Sequence, residues 1–197
     1  MKNNFKGLAG LGQALAEWLK AFAGSIAILA LILLFIQPTS VVNTSMLPNY
    51  REGDRLLVNS MSSPKRGDVV IFNSGLALSE SRWQYLSRIQ KIFLKPEDSM
   101  TLIKRVVALP GERFRLEDGQ IYIDEVPLEE SYIKGTTQGN LDIVLPADNY
   151  LVLGDNRENS LDSRDSTVGF VKKKDILGSV FFRYWPLNRI EYIGGSQ

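Results

Sequence analysis

A chain of 197 residues with 44% hydrophobic and 23% charged residues has room for one folded domain and an appendage, and it excludes wholesale disorder. The net charge of +1 and pI near 7.9 give no broad basic footprint for nucleic acid. With no cysteine and no histidine, thiol nucleophiles, disulfides, imidazole bases and the usual zinc ligand sets are all excluded, so hydrolytic chemistry has to use Ser, Thr, Lys, Tyr or carboxylates.

The first element is an uncharged apolar run, Ala21–Ile36. At about 1.5 Å per residue it gives roughly 24 Å of helix. A bilayer core of about 30 Å asks for a little more, and Trp18, Leu19 and Gln37, with Lys20 snorkelling from the edge, close most of the gap. Lys2, Lys6 and Lys20 precede the run against Glu17 alone, and no charge follows until Arg51. The positive-inside rule then puts residues 1–20 in the cytoplasm, an anchor at 21–37, and residues 38–197 on the far side. The run is hydrophobic all round rather than striped, unlike a core helix. A cleaved signal peptide would need small residues in an A-x-A-like pattern after the run, and Gln37-Pro38-Thr39-Ser40 is a poor fit.

Thr39–Pro48 begins where the apolar run ends and presents Ser45 just before Met46 and Leu47. Gly53-Asp54 marks a turn into a strand at 55–59, and Pro64–Asp68 a second turn into a buried strand at 69–72. Leu102–Leu109 reads as a third strand, ended by Pro110-Gly111. Alternation along that strand puts Lys104 on one face with Leu102, Val106 and Ala108, and Arg105 on the other with Ile103 and Val107. A lysine on an apolar face lowers its cost by shedding its proton, and a fall of roughly 3 units would make it a general base near neutrality. From this strand alone, a sheet-edge lysine snorkelling to water is the better reading.

Between the second and third strands, Tyr85, Leu86, Ile89, Ile92 and Phe93 form a helical stripe, with Arg82, Arg88, Lys91 and Lys95 on other faces. Such a segment fits a membrane surface and a docked surface helix equally well. Asp118-Gly119 joins strands at 113–117 and 120–123 as a hairpin. A strand at 150–153 runs into the polar stretch Gly154–Arg164. Arg157 breaks the EF-hand pattern there, and the density of short polar side chains predicts a structured network rather than a solvated connector. A last strand at 180–184 closes the sheet.

Four segments in order carry a resemblance: Thr44-Ser45-Met46-Leu47-Pro48 with Gly53-Asp54; Arg66–Phe72; Ile103–Val107 with Pro110-Gly111-Glu112; and Gly154-Asp155-Asn156-Arg157 through Ser160, Asp162 and Arg164. On these the chain resembles the type I signal peptidases (peptidase family S26), and its compact form is similar to the cyanobacterial and thylakoid members. The resemblance implies a mainly β fold: an antiparallel catalytic domain behind one transmembrane helix, with 111–148 as a small β subdomain. It implies a serine endopeptidase that removes signal peptides after small residues and needs no metal or cofactor. Ser45 would be the nucleophile and Lys104 the base, with Ser160 hydrogen-bonding the lysine, Asp162 and Arg164 forming a supporting ion pair, and Arg105 as a further support. Val42, Met46, Leu102 and Ile103 would line the pockets for alanine-sized side chains.

The chain departs from the family where Val42-Asn43-Thr44 replaces Pro-Ser-Gly before the nucleophile. An amide can donate to an oxyanion, a contribution of roughly 3 kcal/mol, so Asn43 and the Ser45 N–H are the expected oxyanion hole. The implied partners are signal-peptide-bearing precursors, membrane lipid and a secretion translocon, at a plasma or thylakoid membrane. Two other classes fit parts of the pattern. A self-cleaving Ser–Lys regulator would need a DNA-binding domain where the anchor sits. A catalytically inactive anchored β-domain serving as a binding module would need no intact Ser45, Lys104 and Ser160.

Overall fold

The computed structural model describes residues 3–77 and 99–193, so the amphipathic stripe at 85–93 lies outside the described residues. The chain divides into two units, 1–37 and 38–197.

The first unit is dominated by α1 (Asn3–Phe35), 33 residues long. The helix starts well before the apolar run because residues 7–20 are mostly good helix formers with no proline. Glu17 and Lys20 pair across one turn at 3.4 Å. The backbone leaves the helix at Ile36, two residues before the first proline, Pro38. Among the described residues no helix is long and apolar enough to cross a membrane.

The second unit is built of antiparallel β-strands, as the sequence predicts for the fold class. The strands of its main sheet are β1 (Ile36–Ser40), β2 (Arg55–Asn59), β3 (Val69–Ala77), β4 (Ser99–Ala108), β9 (Asn149–Leu153), β10 (Val171–Lys172), β11 (Ile176–Trp185) and β12 (Glu191–Tyr192). Their order is β1-β2-β11-β3-β4-β9-β10, with β12 also paired to β11. A smaller sheet, in the order β7-β6-β5-β8, consists of β5 (Arg113–Glu117), β6 (Gln120–Ile123), β7 (Val126–Pro127) and β8 (Leu141–Val144). The β5–β6 turn is the predicted one. Asp118 and Gly119 have φ of 50° and 83°, the left-handed pair that a two-residue hairpin turn demands.

Three apolar clusters hold this unit together. Phe114, Leu116, Ile121 and Ile123 of the small sheet pack on Val107, Ala108, Leu151 and Leu153 of the main one. Val41, Met46, Tyr50, Leu56, Val58, Val69, Ile71 and Val180 form a second cluster beneath the residue 41–50 turn. Val70, Phe72, Leu102, Val106, Tyr150, Val152 and Val171 form the third. These assignments correct the face reading at one place. Leu102 and Val106 share a cluster, but Ala108 packs with Val107 on the small sheet. The β4–β9 register slips between Val106 and Ala108, and the extra residue of such a bulge turns Ala108 to the other side.

Candidate active site

Lys104 lies in the middle of β4, directly opposite Val70 of β3. It is 1% exposed, and its ammonium nitrogen reaches Ser45. Nζ donates to Ser45 Oγ at 2.8 Å and to the Ile103 carbonyl at 2.9 Å. Burial lowers its pKa from 10.5 to about 8; the Asp162 carboxylate, then Asp155, pulls upward, and burial wins. At pH 7 about a tenth of the molecules then carry a neutral amine at this position. The snorkelling alternative fails, because the ammonium group turns inward to Ser45 and the Ile103 carbonyl and the residue is almost wholly buried.

Ser45, 6% exposed, sits in a turn tied down on both sides. Upstream, Val41 exchanges backbone hydrogen bonds with the 53–54 turn, donating to the Asp54 carbonyl and accepting from Gly53 N–H, both at 2.9 Å. Downstream, Tyr50 N–H bonds the Met46 carbonyl at 2.9 Å. From across the fold, Asn156 N–H donates to the Ser45 carbonyl and Asn156 Nδ2 to the Thr44 carbonyl, each at 3.0 Å, while Asn159 Nδ2 reaches Thr44 Oγ1 at 3.2 Å. The stretch after β9 is therefore a clamp on the serine turn. Its own polar contacts hold it in place. Asp162 accepts from Gly154 N–H at 3.0 Å and pairs with Arg164 at 2.9 Å. Burial raises the Asp162 carboxyl, but Arg164 and the Gly154 N–H outweigh it and hold it below the ordinary carboxylate value. Arg157, fully buried, forks onto Glu130 at 2.6 and 2.8 Å and onto Thr137 at 2.6 Å.

Beside the serine lies a small cleft of about 70 Å³, lined by Thr39, Ser40, Val42, Asn43, Ile71, Thr101, Leu102 and Ile103. A larger polar cavity of about 430 Å³ includes Arg105 but neither Ser45 nor Lys104. A buried hydroxyl bonded to a buried amine of lowered pKa, beside a cleft with room for small groups, is the arrangement of a serine hydrolase whose base is lysine.

Comparison with known proteins gives the family. The family model described as signal peptidase, peptidase S26, matches residues 15–185. This chain belongs to the signal peptidase S26 family. A signal peptidase I from Leptolyngbya laminosa is 35% identical over 91% of this chain and 84% of its own length. A probable signal peptidase I-1 from Synechocystis is 36% identical, covering 85% and 81% respectively. A solved signal peptidase I from Enterococcus faecalis, 27% identical, superposes with a TM-score of 0.45, covering 61% of this chain and 98% of that one. The activity is that of signal peptidase I, a serine endopeptidase, and the family is membrane-associated.

Of the residues expected from this family, the structure brings together Ser45, Lys104 and Asn43, with the Asp162–Arg164 pair on the loop behind them. Arg105 points away from Lys104, as alternation requires, and forks onto Asp155 at 2.7 and 2.8 Å while bonding the Gly67 carbonyl. Val42, Leu102 and Ile103 line the cleft. Two residues of that expected set lie elsewhere in this structure. Met46 is not among the cleft residues; the turn after Ser45 directs it inward, where it is wholly buried in the second cluster. Ser160 makes no hydrogen bond to Lys104 in this structure; its buried hydroxyl lies within reach of the Asp162 carboxylate. It lies instead over Gly154, where a Cβ would meet Ser160 Oγ at 2.1 Å.

The sequence reading gave no role to Asn156, Asn159, Asp155 or Asn49. Asn49 Nδ2 joins Asp155 Oδ2 at 2.8 Å and the Tyr132 carbonyl at 2.7 Å, so Asp155 links the serine turn to Arg105. Asn156 and Asn159 carry side chains whose partner, Thr44 of the serine turn, lies far away in sequence. The available signal was the density of Asx residues directly after a buried strand.

Proposed function

We propose that Ser45 is the nucleophile and Lys104 the general base of this signal peptidase, cutting exported precursors after small side chains. The single observation that carries the assignment is the 2.8 Å hydrogen bond between two side chains that are almost wholly shielded from water. With Lys104 neutral, Ser45 Oγ adds to the scissile carbonyl carbon and its proton passes to Nζ. Lys104 then gives that proton to the departing amine, leaving an ester on Ser45. A water, deprotonated by the same amine, hydrolyses the ester and frees Ser45. The Ser45 N–H and the Asn43 amide are the proposed oxyanion donors. Val42, Leu102 and Ile103 are the proposed walls of the small-residue pocket, and its size supports the A-x-A preference.

The anchor at 21–37 is part of the same proposal, with residues 1–20 cytoplasmic and the β unit on the periplasmic or lumenal side of a plasma or thylakoid membrane. Its support is the uncharged run together with the lysine excess before it. Membrane lipid and a translocon are the proposed partners beside the precursor. The test uses purified protein and a precursor bearing an A-x-A site. Ser45→Ala and Lys104→Ala should each lower kcat by about 10³-fold or more. If both variants cleave like the parent, the dyad is elsewhere.

A further inference from the structure

Asn43 closes the oxyanion position with the wrong atom for catalysis. Its Oδ1 accepts from Ser45 N–H at 3.3 Å and from Ser45 Oγ at 2.9 Å. The identity of that atom follows from the partner: a backbone N–H can only donate, so the amide group facing it is the oxygen. Because the oxygen is there, the Ser45 hydroxyl proton points at Asn43 and not at Lys104, whose own N–H fills the other side of Oγ. An Asx turn of this kind is an ordinary local device. Here, however, the capped N–H is the one an oxyanion needs, and the captured proton is the one the base must take.

On the reading of Ser45 as nucleophile, we infer that Asn43 is a substrate-displaced plug whose side-chain carbonyl stands in for the scissile carbonyl oxygen. The incoming carbonyl takes the Ser45 N–H from Oδ1. Asn43 then rotates, its hold on the hydroxyl is released, and the Ser45 proton turns toward Lys104. The nucleophile is thus aligned only when a peptide carbonyl is in place. The same rotation can present Nδ2–H to the developing oxyanion, so one amide accepts at rest and donates during reaction. Nothing covalent changes in this step; two hydrogen bonds are exchanged. Asn43 is itself a wall of the cleft, within reach of whatever occupies it.

The experiment measures KM and kcat separately on an A-x-A peptide for the parent, Asn43→Ala and Asn43→Asp, with Ser45→Ala run alongside. Removing the plug should lower KM about fivefold to tenfold, the equivalent of one or two hydrogen bonds no longer displaced. It should also lower kcat by about 10²-fold as the donor is lost. Asn43→Asp keeps the acceptor, strengthens it with charge and cannot donate, so KM should rise and kcat fall. A residue serving only as oxyanion donor would depress kcat in both variants and leave KM unmoved, and that result overturns the plug. The second measurement does not depend on any Asn43 variant folding. In Ser45→Ala protein, which cannot turn over, the Asn43 side-chain NH₂ resonances should move when the peptide binds, and unmoved resonances overturn the plug. If Ser45→Ala still cleaves, the nucleophile assignment has failed. If it is dead and KM does not split, only the plug has failed.

Discussion

Burial, the ordinary enemy of a charge, lowers the pKa of Lys104 toward the range in which an amine can serve as a base. The value of about 8 lies below the ordinary 10.5, so the folded chain releases a proton that the unfolded chain keeps between those two values. Two outcomes follow at this one residue. For activity, kcat/KM should follow the neutral fraction, rising tenfold per pH unit up to about 8 and standing at about a hundredth of its plateau at pH 6. A flat profile through the acidic range would sink the neutral-amine mechanism. For stability, the unfolded state binds more protons between pH 8 and 10.5, so stability rises with pH across that window. Below it the full burial penalty is present, roughly 3 kcal/mol. Lys104→Met removes the penalty and gives up two hydrogen bonds of about 1 kcal/mol each. The variant should therefore be about 1 kcal/mol more stable than the parent at pH 6 to 7, level with it at about pH 9, and about 2 kcal/mol less stable above pH 10.5. Urea melts at these pH values check it. Ser45 and Lys104 could be paired from the sequence only through the resemblance of four ordered segments, because alternation along β4 alone favoured a lysine snorkelling to water. The places of Ala108 and Met46 were not legible, because a bulge and a turn re-aim a side chain without leaving any mark in the pattern.

Among the elements, the segment after β9 matters most. It was recognisable as something other than a loose connector from its polar density, but its target was not, since Asn156 reaches the serine turn across 112 residues of sequence. The strands whose residues alternate or run continuously apolar, β2, β3, β4, β5, β6, β9 and β11, were all readable in part. The two-residue β7, β10 and β12 carry no periodicity at all, and β8 alternates between half-buried and exposed positions with no buried face to betray it. Within the segment, Gly154 is required by close approach: a Cβ there would stand 2.1 Å from Ser160 Oγ and 2.6 Å from the Ser45 carbonyl oxygen. Gly154→Ala should therefore push the serine turn off its position. A shift of about 1 Å at a reacting group costs on the order of 10²-fold in kcat, and overpacking costs about 1–3 kcal/mol of stability. Adding Ser160→Ala should not restore activity, since the clash with the Ser45 backbone remains. Recovery of parent-like kcat in the double variant would show that the glycine serves Ser160 alone.

The two units of the chain divide the work of folding unequally. The buried members of all three apolar clusters lie within residues 41–180. The charged network that fixes the site, from Arg105 to Arg164, lies wholly within residues 38–197 as well. A chain beginning at Pro38 should accordingly unfold cooperatively, within a few degrees of the full chain. It should also cleave a short water-soluble peptide with an unchanged acid limb near pH 8. What it should lose is reach. If 21–37 is an anchor, enzyme and precursor share one membrane, and tethering of that kind raises effective concentration to about the millimolar range. Against a precursor reconstituted in vesicles, the shortened chain should therefore be slower by at least about tenfold at micromolar enzyme, with the deficit shrinking as its concentration is raised. A shortened chain that matches the full one on vesicles at every concentration would show that residues 1–37 do not place the enzyme. One that fails on the soluble peptide while remaining folded would show that the helix does more than hold the β unit at the surface.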